Sequence, residues 1–227
     1  MRISVVIPAR NEEAYIQSCL RAILNQTLQP SELIVVDNGS TDRTATIASA
    51  LGAKLVSCPT PGVAAARQAG LEVATGDWVA TTDADSRPTP GWLEALQARM
   101  EGSVALYGPL RMFGLPWWQE ELTEVGYGTF LKLMGLLRRP NLAAANMAFG
   151  REVALEVGGY PALEAGEDVA LGLRLRRKGR VRYVREALVL TSSRRVKGGW
   201  SKFFGQQIRN ISGNSGGYFA GGGERES

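Results

Sequence analysis

The chain has 227 residues and is 44% hydrophobic, enough for one large domain or two small ones with a full core. Its 26 Lys and Arg against 22 Asp and Glu leave a formal charge of +4, which favours phosphate-bearing ligands or an anionic membrane surface over nucleic acid. It has no histidine; that excludes serine–histidine triads, cysteine–histidine pairs and histidine-ligated zinc, and leaves Asp, Glu, Lys, Tyr or a perturbed Cys as any general base.

In chain order, residues 3–7 form a largely β-branched run, typical of a strand buried on both faces. Residues 12–26 place Ile16, Leu20, Ile23 and Leu24 on one helical face. Residues 33–36 predict a second strand, and 43–51 a helix that Ser40 or Thr41 can cap. Strands over 53–57 and 78–82 alternate with helices over 61–74 and 90–100. Such alternation predicts an α/β fold with a mostly parallel central sheet flanked by helices. There is no G-x-G-x-x-G after the first strand and no G-x-x-x-x-G-K-[ST], so a common dinucleotide site or P-loop is not expected.

The second half has a different texture. Residues 104–107 predict a strand. Residues 112–137 are dominated by apolar and aromatic side chains, among them Trp117 and Trp118, and end at Arg138-Arg139. They predict one or two helices. These either close the core or form a partly exposed apolar surface for a lipid-like acceptor or a membrane interface. Residues 141–149 lead into a short helix from Arg151, with a turn at 158–161. A helix over 168–178 and closing strands over 181–184 and 187–190 follow. Trp200, Phe203, Phe204 and Ile208 predict an amphipathic helix, and the Gly/Ser-rich tail 212–227 is expected to be disordered. Cys19 and Cys58 are too few for a disulfide framework and read as buried thiols in a reducing compartment. The N-terminus lacks the marks of a signal peptide, and no apolar run approaches the ~20 residues needed to span a bilayer.

The most informative feature is Asp83-Ala84-Asp85, two carboxylates at i, i+2 just after the strand at 78–82. In extended backbone both would emerge on one side, at the sheet edge where open α/β folds bind ligands. Two close carboxylates repel unless a proton or cation sits between them. Mg²⁺ or Mn²⁺, completed by substrate phosphates, is the obvious cation. Alone, the pair reads as well as an Asp-rich turn, because Ser86-Arg87-Pro88 follows.

Four segments together resolve that ambiguity: residues 5–13 (VVIPARNEE), 35–42 (VVDNGSTD), 62–70 (GVAAARQAG) and 82–85 (TDAD). In order and spacing they resemble the nucleotide-sugar half of family 2 glycosyltransferases, with the GT-A fold, a Rossmann-like nucleotide-binding half plus an acceptor half. Gly166-Glu167-Asp168 resembles that family's Glu-Asp motif. The resemblance implies a single domain over 1–211, with a nucleotide-sugar half at 1–102 and an acceptor half at 103–211. It implies an inverting transfer from a UDP-sugar, or less often a GDP-sugar, to an acceptor hydroxyl. Pro8, Ala9, Arg10 and Glu12 would line the nucleotide pocket. Asp37 would accept hydrogen bonds from base or ribose, or cap a helix. Arg67 would reach the base or diphosphate, or form a surface salt bridge. Asp83, Ala84 and Asp85 would complete the donor site, with Asp83 towards the ribose and Asp85 on the Mg²⁺ or Mn²⁺ ion. Asp168 would be the general base and Glu167 an orienting or acceptor-binding residue. Asn146 resembles a sugar-contacting position, and Trp117 and Trp118 are candidates for the acceptor surface.

One departure from the family pattern is the missing late histidine ligand. In its place stands a segment with Arg194 and Arg195. Hydroxyls and water there would complete the metal shell, or the two arginines would neutralise the diphosphate. The expected partners are a nucleotide-sugar donor and a saccharide or lipid-linked acceptor, with peripheral membrane contact open, no nucleic acid, and a cytoplasmic location. The rivals are a nucleotidyltransferase on a related sheet, which would carry a Gly/Arg/Lys-rich phosphate loop after the first strand, and a non-catalytic nucleotide-sugar-binding module.

Overall fold

Val5, Val6 and Ile7 are buried on both faces of the first strand, β1 (Ile3–Ala9), which therefore belongs in the middle of a doubly covered sheet. The computed structural model, which describes residues 1–116, 118, 119, 125, 126, 129 and 142–195, places it there. β1 pairs in parallel with β2 (Glu32–Asp37) and β4 (Trp78–Thr81), and β2 pairs in parallel with β3 (Lys54–Ser57). The sheet continues through β8 (Met147–Gly150), β6 (Ala105–Tyr107) and β9 (Val181–Tyr183), giving the order β3-β2-β1-β4-β8-β6-β9. Only β8 runs against its neighbours. A smaller three-stranded sheet has the order β5-β10-β7, from β5 (Ser86–Pro88), β7 (Leu110–Phe113) and β10 (Val189–Ser192).

Strand alternation splits the core into two layers. Val5 and Ile7 pack with α1 (Ile16–Leu24) and α4 (Trp92–Gln97), through Leu20, Ile23, Trp92 and Leu96. Val6 faces the other layer, with α3 (Val63–Val73), α5 (Arg151–Glu156) and α6 (Glu167–Arg176), through Leu71, Ala154 and Leu171. The remaining helix, α2 (Thr44–Ala50), buries Ala48 in the first layer. Both Cys19 and Cys58 are buried free thiols, as expected.

The structure corrects several expectations. Met112 and Phe113, read as the start of a helical stretch, lie in β7 beside β10. Ser86-Arg87-Pro88 is a strand, not only a turn, because β10 supplies it with an antiparallel partner. Residues 147–150 form β8, which the sequence pattern did not separate from its surroundings. The strand expected at 187–190 begins at Val189 and joins the small sheet. Of the residues that could cap α2, it is Asp42 that serves, not Ser40 or Thr41: the Thr44 N–H donates to Asp42 Oδ1 at 2.9 Å. Trp117, most of 112–137, the amphipathic helix expected around 200–208 and the tail lie outside the described residues. Among the described residues no helix is long and apolar enough to cross a membrane.

Gly70 sets how closely α3 approaches the sheet. A Cβ there would stand 2.3 Å from Val6 Cγ1 and 3.1 Å from Val36 Cγ2. Gly70→Ala should gain about 1 kcal/mol of helix propensity and lose more to overpacking against stiff β-branched neighbours. We expect a net loss of about 1–2 kcal/mol in urea unfolding. A stabilised variant would show that α3 can lift off the sheet freely.

Candidate active site

The candidate residues gather where β1, β2 and β4 end, the edge at which open α/β sheets bind ligands. Ala9 and Asp37 are register partners at the ends of β1 and β2. The loops that follow are tied together by backbone donors meeting short polar side chains. The Asn11 N–H donates to Ser40 Oγ at 3.0 Å, the Glu12 N–H to Thr44 Oγ1 at 2.7 Å, and the Glu13 N–H to Asp42 Oδ2 at 3.0 Å. In return the Thr41 N–H donates to Asn11 Oδ1 at 2.8 Å. Asn11 adopts a φ of 53°, a left-handed conformation that Asn tolerates better than most residues. Asn38 is buried, its amide donating to the Cys58 and Thr60 carbonyls and accepting from the Gly62 N–H. Asp37 is half-exposed and accepts from the Ser40 N–H at 3.3 Å. Arg10 is exposed at the mouth of this region, while Pro8 and Ala9 are buried.

Beyond β4 the chain turns, with the Ser86 N–H donating to the Asp83 carbonyl at 3.0 Å. The extended i, i+2 geometry expected for the two acids therefore does not apply, and they meet different partners. Ala84 packs into the core between them. Asp83 accepts from Arg67 Nη2 at 2.8 Å, while Arg67 Nη1 pairs with Glu167. Arg67 is only 3% exposed. It is neither a surface salt bridge nor an open arm towards a diphosphate, because its fork is spent on Asp83, 16 residues away in the chain, and Glu167, 100 residues away. This pair joins α3, the β4 end and α6.

Asp85 meets Arg194, whose Nε lies 2.8 Å from its Oδ2 in an ion pair; the Arg194 Nη2 pairs with Glu12. The Arg194 guanidinium also lies 4.8 Å from the centre of the Tyr15 ring. The small sheet puts it there. The Ser192 N–H, at the end of β10, donates to the Asp85 carbonyl at 3.2 Å, and the Ser86 hydroxyl donates to Thr191 Oγ1 at 3.0 Å. Arg195 follows in the same short 3₁₀ turn, Ser193–Arg195.

Asp168 sits in the first turn of α6, after Gly166 with a φ of 78°, a conformation that glycine adopts without strain. The Ala144 N–H donates to Asp168 Oδ2 at 2.9 Å, and the Val169 N–H to Oδ1 at 2.8 Å. The carboxylate is thereby aimed by two backbone donors. Burial pushes the neighbouring Glu167 carboxyl above the ordinary carboxylate range, against the pull of Arg67, and the charge of Asp168 pushes the same way as burial. Burial, followed by Asp85 and Asp83, pushes the Cys19 thiol well up, so it is no thiolate base at neutral pH.

Asn146 requires a correction. Its amide nitrogen donates to the Pro109 and Ala187 carbonyls at 2.8 and 2.7 Å, and its oxygen accepts from Trp92 Nε1 at 2.8 Å. At 1% exposure, it braces the turn before β8 against α4 and the segments leading into β7 and β10, and offers no donor to a sugar. Trp118 is half exposed.

Among the described residues no three His, Cys, Asp or Glu side chains converge as a ready-made metal cage. The donor chemistry still fits Mg²⁺ or Mn²⁺, which take hard carboxylate oxygens and complete their shells from phosphates and water. Asp83 and Asp85 offer oxygens of that kind after β4.

Residues 4–158 match Glycosyl transferase family 2. The chain belongs to that family. It is 33% identical to Glycosyltransferase AglE of Haloferax volcanii, over 74% of this chain and 59% of the relative. It is 30% identical to the Glucosyl-dolichyl phosphate glucuronosyltransferase of the same organism, over 70% of this chain and 56% of that one. The chain thus spans a little over half the length of these two relatives. In three dimensions it resembles glucosyl-3-phosphoglycerate synthase from Mycobacterium tuberculosis, solved with Mn²⁺, UDP and phosphoglyceric acid. The identity is 27% and the TM-score 0.66, with 92% of this chain and 77% of the other covered. The fold is the GT-A fold that the sequence motifs imply.

Sequence reading missed the Asn11–Ser40–Thr44 ties and the double pairing of Arg67. The ties were hinted at by short polar residues in both loops; nothing local pointed to the contact between Arg67 and Glu167. Arg67→Met keeps the bulk and removes the charge, leaving Asp83 and Glu167 buried without their cation. It should cost about 3–5 kcal/mol in urea unfolding. A loss under about 1 kcal/mol would mean the pairing does not hold the two halves of the site together.

Proposed function

We propose that this chain is an inverting glycosyltransferase that moves a sugar from a nucleoside-diphosphate sugar to an acceptor hydroxyl. The observation that carries this is the Arg67 fork, which ties Asp83 of the Asp83-Ala84-Asp85 segment to Glu167, the neighbour of Asp168 in the first turn of α6. Glu12, Asp37 and the tied loops after β1 and β2 form the wall against which base and ribose would lie. Asp37 is suited to accept from a base N–H or a ribose hydroxyl. Asp85 would hold Mg²⁺ or Mn²⁺, which when bound supplies Lewis-acid stabilisation of the charge on the leaving diphosphate.

Asp168 takes the proton from the acceptor hydroxyl as that oxygen attacks the anomeric carbon. Its two backbone donors fix the carboxylate's direction. One displacement from the face opposite the leaving group inverts the configuration. Glu167, locked on Arg67, orients the helix turn that carries the base and does not itself move the proton. A UDP-sugar is the favoured donor, supported by the UDP bound to the mycobacterial synthase, with a GDP-sugar second. A lipid-linked acceptor, met at the cytoplasmic face of a membrane, is supported by the dolichyl phosphate substrate named for the haloarchaeal relative and by the apolar composition of residues 112–137.

Asp85→Ala should abolish transfer and sharply weaken nucleotide binding in the presence of Mn²⁺; unchanged turnover would remove Asp85 from the metal site. Asp168→Asn should retain donor binding and lower kcat by a factor of about 10²–10⁴. Lost donor binding in that variant would assign Asp168 to the nucleotide pocket instead. Release of nucleoside diphosphate, read by a coupled assay, supports transfer of a sugar, whereas release of pyrophosphate would point to a nucleotidyltransferase.

A further inference from the structure

The Arg194 contact is built into the fold. β10 is fastened beside Asp85 by a backbone hydrogen bond and by the Ser86–Thr191 pair, and Arg194 follows two residues after Ser192. Its guanidinium spans Glu12 and Asp85, whose side chains are 10% and 3% exposed, while its own is 30% exposed. The carboxylates are thus largely desolvated and the cation is reached from solvent. A carboxylate in that setting needs a positive partner, and Arg194 supplies one from within the chain.

Among the described residues, Arg67 pairs with Asp83 and Glu167, and Arg194 with Glu12 and Asp85. A divalent cation would bind at Asp85 through carboxylate oxygen. Yet the oxygen of Asp85 facing Arg194 already has a full positive charge at 2.8 Å. A metal ion on Asp85 would meet that charge at close range, and two cations on one carboxylate repel. A diphosphate changes the balance, because a guanidinium is well suited to phosphate oxygens.

We propose that Arg194 is a resident counter-cation that competes with divalent metal for Asp85, so that metal binds well only together with a diphosphate. In the absence of nucleotide Arg194 holds Glu12 and Asp85 and keeps the loop after β1 in place. When the diphosphate enters, the guanidinium turns to it and Asp85 is released to the metal. Lys would serve less well, since its ammonium cannot span two acids with a planar fork.

This inference rests on the reading of Asp85 as the metal ligand, and the experiment separates the two. Mn²⁺ binding to the full chain is followed by the loss of the free-ion paramagnetic resonance signal, with and without UDP. Without nucleotide, Arg194→Gln should bind Mn²⁺ at least about tenfold more tightly than the wild type, within the range that coupled sites usually reach. Arg194→Lys should fall between the two, and it stands in as the test if Arg194→Gln does not fold. Adding Asp85→Asn to Arg194→Gln should remove the gain. Mn²⁺ affinity equal to or below that of the wild type in the Arg194 variants overturns the competition. If Asp85→Asn alone leaves Mn²⁺ binding intact in the presence of UDP, the metal assignment itself fails, and the competition with it.

Discussion

Arg67 is the constraint on which the rest of the site depends. A guanidinium that is 3% exposed holds Asp83 with one nitrogen and Glu167 with another. Burying three charges together is expensive, and apolar side chains of the same volume would stabilise the fold as well or better. The gain is positional. Asp83 leaves the end of β4 and Glu167 opens α6, so the fork fixes the distance between the donor end of the site and the helix that carries Asp168. The planar geometry of the guanidinium allows this with little freedom in either carboxylate.

A second layer of polar contacts surrounds that tie. The loops after β1 and β2 are each irregular, but they satisfy one another's backbone donors through Asn11, Ser40, Asp42 and Thr44. Asn146 does the same on the far side, linking Trp92, Pro109 and Ala187. With Thr44 and Asn146 buried among them, polar groups satisfied in this way brace the loops around the site. The small sheet extends this bracing. By pairing with β5 just after the two acids, β10 carries Arg194 to Asp85.

Much of the fold was legible in the residues. The β-branched run at β1, buried on both faces, required a central parallel strand, and the alternation of strand and helix through residue 100 required the layered sheet. The motifs at 5–13, 35–42, 62–70, 82–85 and 166–168 pointed to the family and to the sheet edge. What escaped was set by pairing at long range. β5 is three residues long and reads as a turn until β10 is beside it. Residues 147–150 become β8 because β4 and β6 flank them. Asn146 looks like a ligand contact in sequence and is a brace in space.

The amino-acid sequence by itself determined the fold class and the family and singled out candidate acids, because hydrophobic period and short motifs are local properties of the chain. Only the tertiary structure decided what those acids face. Asp83 and Asp85 look alike at a spacing of two, yet the turn between them sends one to Arg67 and the other to Arg194. Arg67 looked like an open arm and is a buried clasp. Charge pairing depends on distance in space and on desolvation, and residues 16, 100, 109 and 182 positions apart in the chain reach one another only when the two sheets are assembled.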